Sequence, residues 1–479
     1  MMMKPGFFKR RTKIVCTIGP ATGSALLIER LIRSGMTVAR LNLSHGTPEV
    51  HARYVQTIRG ISRRLGIPVA IIMDLPGPKY RTGRLKGGQA ILYRGASVTL
   101  TTRDMEGDAI MVPVNLPNLP RDVKAGDTVL LDDGAMQLRV LGKSGSEVKC
   151  RVTEGGVLTE GRGLVVPGMR TSVPFLTDAL CEHLLFSIRQ KPDYLALSFV
   201  SSAEDVAAVR AVLREHKADI PLIAKIERGQ AVKGFDDILA ASDGIMVARG
   251  DLGVDIPLER VPLIQKDIIQ KCNHAGKPVI TATQMLESMI ESARPTRAEV
   301  TDVANAIFDG TDAIMLSAET SVGKYPVLAV KTMARIAQET EKRLPYERFI
   351  TERSKWIERE TDELISYSAC HTADSLGAVA IVAYTQSGST ARRVAKYRPR
   401  VPILAITPVE VTSGRLLLHW GVYPFYLGAA SSLDELFAVG ARLAKEMSLA
   451  RPGDLIVVTG GVPLGVAGST NLLKVEKID

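Results

Sequence analysis

The sequence predicts an α/β chain: a (β/α)8 TIM barrel with a small inserted β-barrel lid domain and a C-terminal α/β domain. Three observations carry this. Between Lys13 and about residue 345, eight short and nearly continuous apolar runs alternate with helix-periodic segments, the pattern of parallel strands buried on both faces. From Lys79 to Arg170 that rhythm stops, and beyond residue 345 a second strand and helix rhythm begins. At 479 residues the chain also exceeds what a single core usually organises.

The eight predicted strands run over residues 13–19, 38–44, 69–74, 194–199, 222–227, 244–249, 279–283 and 313–317. A closed barrel of such units gathers its chemistry at the C-terminal strand ends. Polar residues recur there: Arg40, Asn42, Ser44, Asp74, Lys225, Glu227, Asp251, Thr283 and Glu319. Residues 1–78 form the first part of the barrel and 171–345 the second. Residues 79–170 hold short alternating runs, such as 97–102, 127–131 and 147–152, divided by Gly, Asp and Pro turns. An inserted β-domain on the catalytic face is placed to act as a lid. Residues 346–479 open with a charged helical stretch. Apolar runs at 380–384, 402–406, 422–427 and 454–458 then predict a mostly parallel sheet.

Composition excludes some classes and leaves others open. No apolar stretch approaches the roughly 20 residues that span a bilayer. The basic start is not followed by an apolar segment with a cleavage site, so a cytoplasmic protein is expected. Cys16, Cys150, Cys181, Cys272 and Cys370 are scattered without a C-x-x-C pair, which fits neither a disulfide framework nor a zinc site. The net charge of +10 suits nucleic acid or small anionic substrates. With 5% aromatics and dispersed basic residues, no stacking surface for nucleic acid stands out.

The densest chemistry lies between residues 221 and 253. Lys225 and Glu227 end one strand and share its face by period two; Arg249 and Asp251 end the next. Ammonium and carboxylates at adjoining strand ends are costly unless a metal or charged ligand sits between them. Glu227 and Asp251 offer hard oxygens for Mg²⁺ (or Mn²⁺), and Lys225 can stabilise a phosphoryl group in transfer. The amides at Gly250-Asp251 open a short helix, an arrangement that suits an anion. Arg40, Asn42 and Ser44 share a face and suit phosphate or carboxylate oxygens, or else satisfy their own loop. His45 and His51 are expected in a loop and on a helix surface. Asp74 and Arg81 flank a stiff Pro76-Gly77-Pro78 turn, and the hydroxyls of Thr281 and Thr283 are expected on one face.

Six stretches in order make the chain resemble the pyruvate kinase family over nearly its full length. They are T-K-I-V-C-T-I-G-P at 12–20, R-L-N-L-S-H-G at 40–46, D-L-P-G-P-K at 74–79, A-K-I-E at 224–227, A-R-G-D-L-G at 248–253 and T-Q-M-L-E-S-M at 283–289. The resemblance implies transfer of phosphoryl from phosphoenolpyruvate to ADP, giving pyruvate and ATP, by a cytoplasmic homotetramer. It gives Glu227 and Asp251 the metal, Lys225 the moving phosphoryl group and Arg40 the substrate phosphate. The Gly250 and Asp251 amides take the substrate carboxylate, Arg81 the nucleotide phosphates and Thr283 the protonation of enolpyruvate. The absence of a G-x-x-x-x-G-K-[S/T] loop agrees with a nucleotide held between barrel and lid.

The chain departs from the family pattern in two places. Relatives that bind potassium use residues matching Asn42, Ser44 and Asp74, a threonine and a nearby glutamate; here Leu75 and Lys79 stand in the last two positions. The expectation is that the Lys79 ammonium replaces potassium, which is then not required. Ala179 stands where many relatives carry a nucleotide-contacting lysine.

A second site is expected in the C-terminal domain. Thr385, Ser387, Gly388, Ser389 and Thr390 follow a strand and open a helix, a phosphate cradle with Arg392, Arg393, Lys396, Arg398 and Arg400 close behind. By resemblance, this loop and the neighbouring Gly460 to Gly468 segment bind a phosphorylated allosteric effector. Two other readings compete. A magnesium-dependent aldolase or lyase on a similar barrel is disfavoured by the lid and the phosphate loop. An RNA-binding protein would show steeply salt-dependent affinity and no turnover.

Overall fold

The computed structural model describes residues 10–430, 432–464 and 469–479. Eight parallel strands close into a barrel: Lys13–Thr17, Val38–Asn42, Ala70–Leu75, Tyr194–Leu197, Leu222–Ile226, Gly244–Ala248, Val279–Ala282 and Ala313–Leu316. All eight coincide with the apolar runs read from the sequence. Neighbours pair in register, Lys225 against Met246 and Asn42 against Asp74 among them.

Alternation along each strand sorts residues to two surfaces. Leu222, Ala224 and Ile226 pack outward under the helices, together with Ala39, Leu41, Ile71 and Met73. Val15, Val38, Ile72, Ala196, Ile223, Met246 and Ile280 fill the barrel interior, and Leu417 and Leu418 of the C-terminal domain close that cluster. The interior face continues past the apolar layer into Arg40, Asp74, Ser198 and Lys225, because each lies an even number of residues beyond an inward neighbour. The same period therefore builds the core and aims the polar layer.

The chain leaves the third strand through Pro76-Gly77-Pro78. Gly77 is required by contact: a Cβ there would lie 2.2 Å from the Ser198 carbonyl oxygen. The insertion forms a seven-stranded sheet, from Tyr80–Arg81 to Gly163–Val165, and a two-stranded sheet around its own core of Val98, Leu100, Val129, Leu138 and Val148. Thermodynamically it is a second small domain on the open end of the barrel.

The C-terminal sheet has the strand order Val422–Tyr426, Ile403–Thr407, Ala380–Tyr384, Leu455–Gly461, Thr470–Lys477. The four predicted strands are parallel; the edge strand Thr470–Lys477 is antiparallel and was not anticipated, since its charged, alternating sequence reads as surface. This domain covers the N-terminal end of the barrel. Asp312, just before the eighth strand, accepts from both terminal nitrogens of Arg398 (2.8 and 2.9 Å), from the Trp420 amide (3.0 Å) and from the Val279 amide (3.1 Å). Lys13 is buried in the same junction, donating to the Val422 carbonyl and lying over the Tyr423 ring. No helix among the described residues is long and apolar enough to cross a membrane.

Candidate active site

Five consecutive strands deliver one continuous network inside the C-terminal mouth of the barrel. Arg40 donates from Nε to Asp74 Oδ2 at 2.6 Å and from Nη1 to Thr17 Oγ1 at 2.9 Å. Lys225 Nζ lies 2.8 Å from Ser198 Oγ, 3.3 Å from Asp74 Oδ1 and 3.0 Å from Glu227 Oε1. Ser198 in turn donates to Asp74 Oδ1 at 3.1 Å. The Phe199 amide donates to Glu227 Oε2 at 2.5 Å, and Phe199 adopts a φ of 59° to aim it. A bulky residue tolerates that region only where the surroundings enforce it.

The electrostatics follow from burial and neighbours. Burial works to raise the Asp74 carboxyl, but the adjacent Arg40 and Lys225 cations outweigh it and hold it below the usual carboxylate range. Burial also opposes the charge on Lys225, yet Asp74 and Glu227 push its affinity for a proton above that of an ordinary lysine. Glu227 is raised, first by burial and then by the carboxylates of Asp251 and Asp74, against the pull of Lys225. A buried carboxylate facing a second one is short of positive charge. The buried Glu227 and the partly exposed Asp251 line one cavity, and two carboxylates beside a space for water and ligand oxygens fit the sparse protein coordination Mg²⁺ takes. Among the described residues no group of three or more His, Cys, Asp or Glu is gathered for a metal, so a cation here needs oxygens from elsewhere.

Asp251 starts its own geometry on the helix Arg249–Asp255. Its Oδ1 accepts from Lys79 Nζ at 2.7 Å. The Gly250 amide donates to Thr283 Oγ1 at 2.7 Å, and Thr283 donates to the Ala282 carbonyl at 2.7 Å. A cleft of about 680 Å³ joins these residues to the lid, with Lys79, Leu130 and Asp133 on one wall and Gly250, Asp251, Thr283, Ser317 and Glu319 on the other.

Several expectations change at this level. The Lys79 ammonium, expected beside Asn42, Ser44 and Asp74, is paired with Asp251 instead, and lies 4.0 Å from Asp133 of the lid. Asn42 Oδ1 accepts from the Ser44 amide (3.2 Å), so the pair satisfies its own loop, with Ser44 exposed. Thr281 and Thr283 do not share a face: the strand stops at Ala282, Thr281 bonds Thr311 in the wall, and Thr283 enters a turn with φ 65°. Arg249 turns away from Lys225 and Glu227; it donates to Asp302 (2.7 Å) and to the Thr283 carbonyl (2.8 Å), bracing that turn. His51 is buried against Tyr54 rather than lying on a helix surface. Arg81 sits on the lid strand and donates to the Gly161 carbonyl at 3.0 Å. Sequence reasoning passed over Thr17, Ser198 and Phe199. The first two carry a signal in retrospect, since each stands at an inward-facing position.

The C-terminal loop closes over a separate cavity lined by Thr385, Gln386, Ser389, Thr390, Gly461, Ser469 and Thr470, with Ser387 and Gly388 forming its turn. The Thr385 hydroxyl is buried there without a hydrogen-bond partner among the described residues. Arg392, Arg393, Lys396, Arg398 and Arg400 do not line it. Arg393 and Lys396 pair with Glu363, Arg398 with Asp312, and Arg400 with Asp374, so these cations fasten the helix to its neighbours. Residues 465–468 of the Gly-rich segment lie outside the described residues.

Known proteins agree with this arrangement throughout the chain. The family described as "Pyruvate kinase, barrel domain" matches residues 9–330, and "Pyruvate kinase, alpha/beta domain" matches residues 363–476. The pyruvate kinase of Geobacillus stearothermophilus is 48% identical over 473 residues, covering 98% of this chain and 81% of that one. That of Staphylococcus aureus strain MRSA252 is 46% identical over 471 residues, covering 98% and 80%. The crystal structure of a pyruvate kinase from Cryptosporidium parvum superposes with a TM-score of 0.94 at 37% identity, covering 100% of this chain and 98% of that one. With matches spanning the barrel and the C-terminal domain alike, the chain belongs to the pyruvate kinase family, phosphotransferases that carry the phosphoryl group of phosphoenolpyruvate to ADP in the last step of glycolysis.

Proposed function

We propose that the cleft between barrel and lid is where this transfer occurs, with the roles divided among the residues of the network above. The observation that carries the reading is the convergence of Arg40, Asp74, Ser198, Lys225 and Glu227 on one hydrogen-bonded cluster whose Glu227 shares a cavity with Asp251, itself on the wall of the cleft that holds Thr283. Lys225 keeps its proton because two carboxylates hold it, and so presents a fixed positive charge to the phosphoryl group in flight. Arg40 has Nε and Nη1 committed to Asp74 and Thr17, which leaves Nη2 as the edge offered to the substrate phosphate. Glu227 and Asp251 would hold Mg²⁺ or Mn²⁺, which when bound neutralises charge on the phosphoryl oxygens.

The amides of Gly250 and Asp251 take the substrate carboxylate. Since the Gly250 amide rests on Thr283 Oγ1, capture exchanges that bond and frees a lone pair of the hydroxyl, whose O–H must then turn from the Ala282 carbonyl to face the enolpyruvate carbon. A threonine is too weak an acid to act alone. Glu319, raised by burial, lines the same cleft and can share the proton through water. Arg81 and the 79–170 lid then close over the nucleotide phosphates, transfer needing positioning and charge more than covalent help.

The same reading makes potassium dispensable, because Asp74 already has both oxygens engaged by Arg40, Lys225 and Ser198. It also gives a cytoplasmic homotetramer activated by a phosphorylated metabolite, a sugar phosphate or nucleotide monophosphate, at Thr385, Ser387, Gly388, Ser389 and Thr390. The orphaned Thr385 hydroxyl supports an anion acceptor there. Pyruvate formation from phosphoenolpyruvate and ADP, followed with potassium replaced by choline at constant ionic strength, is expected to continue unchanged and to stop on chelation of divalent metal. Collapse in choline would remove the potassium-free reading, and turnover in chelator would remove the metal assignment.

A further inference from the structure

The ion pair between Lys79 and Asp251 joins two residues 172 positions apart. Lys79 is the first residue after the Pro-Gly-Pro hinge of the lid, and Asp251 is an acidic group of the barrel mouth. Both are largely shielded, with side chains 13% and 29% exposed. The ammonium is further held by the Phe199 ring, 5.2 Å away, and by Asp133 across the cleft. Phe199 is also the residue whose amide binds Glu227, so the lid hinge touches both carboxylates of the acidic pair, one directly and one through its neighbour.

We propose that Lys79 is a positioning residue that competes with the divalent cation for Asp251. In the metal-free enzyme its ammonium caps Oδ1; loading displaces it, and because Lys79 is anchored one residue beyond the rigid hinge, the lid hinge is released in the same step. The inference rests on Asp251 being a metal ligand, as read above.

The physical case is one of charge and space. A carboxylate oxygen that accepts an ammonium at 2.7 Å and also took Mg²⁺ at roughly 2.1 Å would hold the two cations only about 4 Å apart in a shielded cleft, where their repulsion is weakly screened. The incoming ion carries twice the charge and binds Glu227 as well, so it wins. The displaced ammonium keeps two resting places, Asp133 and the face of Phe199, which makes its release inexpensive. Lys225 is not displaced in the same way, because its contacts to Asp74 and Ser198 do not depend on Glu227.

The test is a Mn²⁺ titration of the full chain without substrate, followed by the electron paramagnetic resonance of free Mn²⁺. Lys79→Met is expected to tighten Mn²⁺ binding by about tenfold, the size of one lost half-shielded ion pair. Lys79→Arg, which keeps the cation, should stay near the unaltered protein, and Asp251→Asn should weaken binding. Hydrogen exchange of residues 80–82 gives a second reading: Mn²⁺ should speed it in the unaltered protein, and Lys79→Met should show the fast rate without metal. If Asp251→Asn weakens binding while Lys79→Met leaves affinity and exchange unchanged, the competition is wrong and the metal assignment stands. If Asp251→Asn does not weaken binding, the assignment itself fails. Should Lys79→Met prove unstable, tight binding by Lys79→Arg would also overturn the competition.

Discussion

At the scale of single residues, Lys225 is the side chain on which most of the site depends. It is buried, yet it stays charged because Asp74 and Glu227 supply more than burial removes. Lys225→Met leaves Glu227 without its cation and Asp74 with Arg40 alone, so two effects are expected together. Turnover should fall by roughly 10²- to 10³-fold, the usual loss when one transition-state charge partner is removed. The melting temperature should change as well, because an uncompensated buried charge is costly. Kinetics and thermal denaturation on the same preparation separate them: if turnover persists near the unaltered level in folded protein, Lys225 does not face the phosphoryl group. The period-two placement of Lys225 and Glu227 was legible in the sequence. Ser198 was not singled out, because one serine in an apolar strand looks like filler until its neighbours are known.

At the scale of elements, the helix Ser389–Lys396 shows how one segment serves two ends. Its start turns through Gly388, with φ 86° and a would-be Cβ only 3.3 Å from Leu416, and presents hydroxyls to the cavity. Its far half carries Arg393 and Lys396, which bind Glu363 of the preceding helix Thr361–Ser375. The basic run that reads as a phosphate-facing surface is thus an attachment to protein. The prediction is that replacing Ser387 and Thr390 by Ala abolishes activation by a phosphorylated metabolite and leaves basal turnover intact. Activation curves over a panel of sugar phosphates and nucleotide monophosphates check it, and surviving activation would place the effector elsewhere.

At the scale of the whole molecule, the barrel and C-terminal domain are joined through Asp312 and Arg398, both nearly inaccessible to solvent. Burial opposes the Asp312 charge, but Arg398 beside it outweighs this and holds the carboxyl below the usual range. A carboxylate with a depressed pKa contributes stability that is full above the unfolded value of about 3.9 and is lost as pH falls through the folded value. The junction should therefore loosen below about pH 4. Arg398→Met, leaving Asp312 buried and unpaired, should destabilise by about 3–5 kcal/mol. Calorimetry should then resolve separate transitions for barrel and C-terminal domain; a single transition at unchanged temperature would show that other contacts carry the junction.

The sequence by itself determined the eight barrel strands, the lid insertion, the second α/β rhythm and the residues that end each strand in charge. Those are local properties: period two, apolar content and turn residues are read within a few positions. Only the tertiary structure decided which charged ends meet. Lys79 reaching Asp251, Arg398 reaching Asp312, and Arg249 bracing the Thr283 turn join residues from 34 to 172 positions apart. No periodicity encodes such pairs. They follow from barrel closure, from the angle at which Pro76-Gly77-Pro78 sends the lid over the strand ends, and from the cost of leaving a shielded charge without a partner.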